Sequence, residues 1–186
     1  GQAEPVLEAV AALGDTVAHV SPRVIARGLA RTARHSTGVQ IIAVDAAREG
    51  PMTNVRERIA KGEYLSGQTS LRRQEAVIGA ELADDLGLKL GRKLVLVTQA
   101  LADDGQSTEM SSGAYRVAGI FRLASEEFNS SFVFLNLEDG RELLNVAGLS
   151  EVTVMLADRE MVPAAAARLS AALDSSRYVV RTWRQE

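Results

Sequence analysis

Apolar positions along the chain fall into short runs whose period changes from one run to the next. Val6, Val10 and Leu13 recur at helical spacing behind Pro5, and Gly14 follows as a stop, which predicts a first helix over Glu4–Leu13. Thr16 to Val20 reads as a strand, Pro22 as its break, and Val24 to Ala33 as a continuation with arginines interleaved. A Ser36-Thr37-Gly38 turn then leads into the apolar strand Val39–Val44, a hairpin arrangement. Ala46 to Thr53 is polar and carries Gly50-Pro51, a linker-like break, and Asn54 to Lys61 suits a short helix with Val55 and Ile59 inward.

The strongest pattern is Glu75–Gln99. Ile78, Leu82 and Leu86 with Ala83 predict a helix, Gly87 closes it in the left-handed region, and Gly91 permits a tight turn into a buried strand over Leu94–Val97. Leu82, Leu86 and Val95 are expected in one core. Ala102-Asp103-Asp104-Gly105 is a hairpin turn, Tyr115–Phe121 ends the return strand, Phe132–Leu135 is another strand, and Gly140–Val146 a short helix or turn. Val152, Val154 and Leu156 then alternate as a strand. Asp158 caps a helix whose face is Val162, Ala166, Leu169 and Leu173, and Tyr178–Thr182 closes as a final strand. The two ends of the chain, 1–48 and 150–186, are therefore expected to build one α/β lobe in which Thr16–Val20, Val152–Leu156 and Tyr178–Thr182 share a sheet. The β-rich stretch 49–149 is expected as an insertion, and the class is α+β.

The run Val77-Ile78-Gly79, Leu82-Ala83, Leu86-Gly87-Leu88 and Gly91 resembles the signature of the periplasmic core domain in ABC transporter permeases of the FtsX, MacB and LolC/LolE type. Ile42-Ala43-Val44-Asp45, Ile59–Leu65, Val117-Ala118-Gly119-Ile120-Phe121 and Arg181-Thr182-Trp183 resemble further segments of that family, in family order. Arg92 stands where the family has Asp, and Ala43 where it has Gly. The resemblance implies a discontinuous porter-like subdomain from both chain ends with an inserted sabre-like subdomain. It also implies a place on the periplasmic side of a bacterial inner membrane, between two membrane helices. Gly1 in place of Met agrees with an excised domain, from which a first strand could have been trimmed. The implied partners are a cytoplasmic ATP-binding subunit reached through the membrane helices, a second permease copy or paralogue, and a periplasmic adaptor or lipoprotein chaperone. The Ile59–Leu65 and Val117–Phe121 segments lean toward the lipoprotein-releasing branch.

Composition narrows the chemistry. Net charge is −3 and aromatics are 4%, which leaves neither a basic excess nor stacking platforms for nucleic acid. Zero cysteines remove disulfides, thiol catalysis and thiolate metal sites. The two histidines, His19 and His35, lack ligands at metal spacing. Asp84-Asp85 points to two sides of a helix, and Asp103-Asp104 with Glu109 does not match a calcium loop. Arg23, Arg27, Arg31 and Arg34 form a basic row, read as a solvated face or as contacts to a partner protein or lipid head groups. There is no P-loop, dinucleotide fingerprint, G-x-S-x-G or H-E-x-x-H. No catalytic, cofactor-binding or metal-ligating residue is therefore assigned. A non-enzymatic transporter domain is the first reading, with a soluble periplasmic ligand-binding module and an unrecognised hydrolase as alternatives.

Overall fold

One strand carries the architecture. In the computed structural model, which describes residues 3–68 and 74–182, β1 (Val17–Arg31) is hydrogen-bonded on both edges. On one edge it forms an antiparallel hairpin with β2 (Ser36–Val44), from Arg23↔Val44 to Arg31↔Ser36. On the other edge its first half, Val17–Arg23, pairs with β8 (Glu151–Leu156), and Gly28–Arg31 pairs with β5 (Lys93–Leu101). β2 continues in parallel to β7 (Phe132–Asn136), β7 to β4 (Glu75–Gly79), β4 in parallel to β6 (Thr108–Phe121), and β6 back to β5. Because β1 touches both ends of that path, β1, β2, β7, β4, β6 and β5 close into a ring. β8 extends the sheet beyond it and β3 (Ile59–Gly62) pairs with the end of β6.

Alternation along each strand fills the barrel. Val24 and Ala30, Ile41 and Ala43, Ile78, Leu94 and Leu96, Tyr115 and Val117, Val133 and Leu135 belong to one buried cluster. A small barrel holds just such a packed lumen rather than a channel. Two helices close it. α3 (Ala80–Leu86) inserts Leu82 and Leu86 at one end, and α5 (Leu137–Leu144) inserts Leu143 and Leu144 at the other. Gly140 lets α5 sit directly on β2, since a Cβ there would lie 2.1 Å from Cβ of Ala43. Outside the barrel, Ile42, Val44, Val77, Phe121 and Phe134 form a second apolar layer, covered by Ala46, Val55 and Leu65.

The chain ends meet on the first half of β1. α1 (Glu4–Ala11) contacts β8 and α6 (Val162–Ala172), and Arg168 Nη2 donates to the carbonyl of Ala12 at 2.9 Å. Gly1 and Trp183, on which the resemblance partly rests, lie outside the described residues.

Several expectations need correcting. Ile78 lies in β4, and the helix starts at Ala80; a strand buried on both faces reads as an unbroken apolar run, so helical spacing from Ile78 to Leu82 was coincidental. Val95 is half-buried on the outside of the barrel, and Leu94 and Leu96 take its place in the core with Leu82 and Leu86. Pro22 does not break β1. Arg23 accepts through its backbone oxygen from the N–H of Ser150, and the N–H of Ile25 donates to Ser150 Oγ. Pro22 therefore turns its missing N–H to the opposite edge, where β2 has ended at the Arg23–Val44 pair. Residues 46–53 begin with helix α2 (Ala46–Glu49), capped by Asp45 Oδ1 accepting from the backbone of Ala47 and Arg48. Asn54–Lys61 gives a single 3-10 turn over Arg56–Arg58 and then β3. Tyr178–Thr182 joins no strand, and Val179 is 76% exposed. A helix unread in the sequence, α4 (Glu126–Ser131), lies along α3. The helix at Ala80–Leu86 with its left-handed Gly87 (φ +63°), the β5–β6 hairpin and the β1–β8 pairing stand as read.

Leu96→Ala, inside the lumen, is expected to cost about 2–5 kcal/mol in urea unfolding, against about 1 kcal/mol or less for Val95→Ala on the outer wall. Equal losses would show that the two faces of β5 are not divided this way.

Candidate functional site

The arginine row does not stay together. Arg23, Arg27 and Arg31 share the outer face of β1, but Arg23 is drawn down into an ionic cluster while Arg27, Arg31 and Arg34 are exposed. Beside a smaller cleft lined by Arg31 and Lys93, Arg34 comes together with Lys89, Arg92 and Lys93 around an open cleft at the β1–β2 turn. Leu86, Leu88 and His35 complete its lining. Sequence spacing could not show this convergence, since the hairpin tip and the α3–β5 loop are about 55 residues apart in the chain.

The second constellation was invisible in the sequence. Glu49, at the end of α2, is fully buried. Its Oε2 accepts from Ser21 Oγ at 2.5 Å and from Arg23 Nε at 3.1 Å, and its Oε1 from Arg23 Nη2 at 2.7 Å. Arg23 Nη1 reaches on to Glu151 Oε1 at 2.9 Å, so one guanidinium joins β1, α2 and β8. Burial works against the Arg23 charge, but the hydrogen bonds and charges of Glu49 and Glu151 raise its pKa overall. Tyr64 sits against the same cluster with its hydroxyl buried and unpartnered. Burial, then the Glu49 carboxylate, pushes that hydroxyl up, and the Arg56 guanidinium lies 5.4 Å from its ring centroid. Glu49 is thus matched by Ser21 and Arg23, and the three act as a structural clamp.

A third feature is a carboxylate without a partner. Asp139, in the first turn of α5, is fully buried and neither oxygen has a hydrogen bond. Burial first, and then the charges of Glu142, Glu75 and Glu138, push it up to about 6, while the neighbouring Asn136 carboxamide pulls the other way. Among the described residues no group of three or more acid, histidine or cysteine side chains is placed to hold a metal ion.

The remaining candidates are solvated. His19 and His35 are exposed, as are Asp84 and Asp85. Asp104 caps its own turn: Oδ1 accepts from the backbone of Gln106 and Ser107, and Oδ2 from Ser107 Oγ at 2.6 Å. Those bonds, the hydroxyl first, lower it to about 2. Asp103 accepts from Asn145 Nδ2 at 3.2 Å, and Glu109 is exposed on β6.

The described residues thus form a closed barrel, with α1, β8 and α6 packed together beside the first half of β1. The sequence pattern of the MacB-like periplasmic core domain matches residues 2–172. The chain belongs to that family. Two solved relatives share the fold at TM-score 0.61. One is the extracellular domain of the noncanonic ABC-type transporter YknZ from Gram-positive bacteria, 16% identical, covering 91% of this chain and 82% of that one. The other is the periplasmic region of MacB from Actinobacillus actinomycetemcomitans, 13% identical, covering 92% and 73%. A domain of a putative permease protein from Porphyromonas gingivalis aligns at TM-score 0.50 and 14% identity, covering 90% and 69%. No curated protein matches the sequence significantly. The α+β class and the family resemblance both hold. For this MacB-like domain, no described helix is long and apolar enough to cross a membrane.

Two outcomes test the buried charges. Arg23→Met leaves Glu49 buried without its cation and is expected to cost about 3–5 kcal/mol, whereas Arg141→Met, which breaks a more exposed pair with Glu138, is expected to cost under about 1 kcal/mol. Comparable losses in denaturant melts would reduce the clamp to an ordinary surface pair. Asp139 keeps its proton up to about pH 6 in the fold, while the unfolded chain releases it near 3.8. The native state binds more protons between those values, so stability falls as pH rises from about 4 through 6 and the cost is complete above that. Asp139→Asn is expected to raise stability at pH 7.5 by roughly 2–3 kcal/mol and to leave it little changed at pH 4. A variant no more stable at pH 7.5 than at pH 4, relative to wild type, contradicts this.

Proposed function

We propose that this MacB-like domain is the extracytoplasmic, non-catalytic part of an ABC transporter permease, transmitting ATP hydrolysis by a separate cytoplasmic subunit into movement for lipoprotein release or substrate efflux. The observation that carries the reading is the family match over residues 2–172. We take 1–48 and 150–186 as the porter-like subdomain and 49–149 as the sabre-like insertion, with β1 and β2 of the first stretch also serving as strands of the barrel. On this reading the membrane lies on the side of the lobe holding both chain ends, the working partner is a second permease copy or paralogue, and a periplasmic adaptor or lipoprotein chaperone meets the barrel. No step of the proposed task needs a metal or organic cofactor. The side chains packing the lumen weigh against a small-ligand site inside the barrel, where such a module would need a cavity.

This chain has no cysteine, so Met110→Cys, on an exposed position of β6, gives one labelling site in it, to be placed in a full-length permease whose other cysteines, where present, are replaced. A membrane-impermeant maleimide is expected to label it from the periplasmic side of intact inner membrane. Spin labels there on two permease copies are expected to change separation when the ATPase is trapped with ATP and vanadate. Labelling from the cytoplasmic side only, or a distance distribution indifferent to nucleotide, would sink the proposal.

A further inference from the structure

We propose that the basic cleft at the hairpin end of the barrel docks an acidic segment of a partner protein. Arg31, Arg34, Lys89, Arg92 and Lys93 are exposed around it, and none of the five makes an ion pair among the described residues. They gather in a chain whose net charge is −3, so the concentration of positive charge is local and set by the fold. Like charges held together without counter-charges repel one another, and a partner bearing carboxylates removes that repulsion. Asp84 and Asp85, the exposed acids of α3, do not line the cleft.

The frame around these side chains is fixed before a partner arrives. The Thr32 N–H donates to the His35 carbonyl and closes the hairpin tip. The Gly91 N–H donates to Val117, the Arg92 N–H to Lys89, and Arg116 Nη1 to the Gly91 carbonyl, pinning the α3–β5 loop to β6. The cleft between these two pinned turns measures about 710 Å³, room for a few side chains, and the buried Leu86 and Leu88 line it from the core side. Arginine forks suit carboxylates in particular, because planar guanidinium and carboxylate match in two parallel hydrogen bonds.

The choice of a protein over a lipid surface rests on the function proposed above. β1 runs from the lobe of the chain ends to this cleft, and its 15 residues extend over roughly 45–50 Å. A membrane next to the chain ends would lie several Debye lengths away at physiological salt, too far for head groups to hold the cleft.

The probe is a fluorescein-labelled decaglutamate peptide, titrated with the whole 186-residue chain and read by anisotropy. Binding is expected at low salt and should weaken as ionic strength rises. The triple variant Arg34→Glu, Lys89→Glu, Arg92→Glu should lose about tenfold or more in affinity, while Lys61→Glu, an exposed residue of β3 outside the cleft lining, should stay within about twofold. Should the triple variant fail to fold, the single Arg34→Glu and Arg92→Glu variants are each expected to lose about two- to threefold. Absence of peptide binding, or an equal loss in Lys61→Glu, overturns the docking site and leaves the permease assignment untouched. Phosphatidylglycerol vesicles are the counter-probe. Vesicle binding abolished by the triple variant overturns the protein partner and, with it, the orientation that puts this end far from the membrane.

Discussion

The structure depends on β1 being satisfied on both edges at once. A strand with one bare edge exposes unpaired N–H and C=O groups, and a ring removes the edge altogether. Here closure needs Gly28–Arg31 to find Val95–Thr98, and the barrel extends into a second lobe because Val17–Arg23 also finds Val152–Leu156. Those pairings join residues about 70 and about 135 positions apart. Their loop-closure entropy must be met before the lumen can bury Leu94, Leu96 and Ile41, so the hairpins β1–β2 and β5–β6 are the natural early units and ring closure the late step. Every helix then acts as a lid or a brace on a ring it does not itself build.

The point where β1 changes partners is also where its charges are concentrated. Between Arg23 and Gly28 the edge facing β5 and β8 has no strand ladder; Ser150 bonds there to Arg23 and Ile25, and Thr98 Oγ1 donates to the Arg27 carbonyl. Arg23 spans that gap, holding α2 through Glu49 and β8 through Glu151. A buried ion pair is a poor source of net stability, because desolvating both ions offsets most of their attraction. What it does supply is discrimination. Any displacement of α2 or β8 relative to β1 leaves Glu49 buried and uncompensated, so one relative placement is strongly preferred over its neighbours.

How far the sequence could be read follows from which interactions are local. The turn of Gly87 into Leu88, the Asp103–Gly105 hairpin and the alternation of Val152, Val154 and Leu156 are decided within a few residues, and they stand in the structure as read. Pro22 misled because its cost depends on which edge faces a partner, and that is fixed by the end of β2 and by Ser150, far along the chain. Glu49 looked like loop polarity because its partners, Ser21 and Arg23, lie on a strand 28 and 26 residues earlier. Tyr178-Val179-Val180 has strand-forming residues, yet strand propensity reports a fit to a neighbouring strand and none takes it up. α4 offered the opposite difficulty, a six-residue helix with Phe128 as its one large apolar side chain, too short for any period to register. The candidate site was half legible: Arg31 and Arg34 were visible as a row, but Lys89, Arg92 and Lys93 join them only once β5 closes the ring.

Three carboxylates show how the fold distributes electrostatic strain, and the distribution follows the lobes. Asp104, at an open hairpin tip, is stabilised as an anion by three hydrogen-bond donors and has no structural role beyond its turn. Glu49 is buried but matched by Arg23 and Ser21, so its charge fixes geometry without leaving an unsatisfied group. Asp139 is buried and unmatched, inside the helix that closes the barrel on the side of the Arg23 junction. An unsatisfied carboxylate there weakens the α5 plug, whereas at the far end Glu81 of α3 shares its carboxylate with Arg122 and leaves only Oε2 buried without a hydrogen bond, over the apolar closure by Leu82 and Leu86. Of the two plugs, the one beside the Arg23 junction is therefore the less well matched electrostatically.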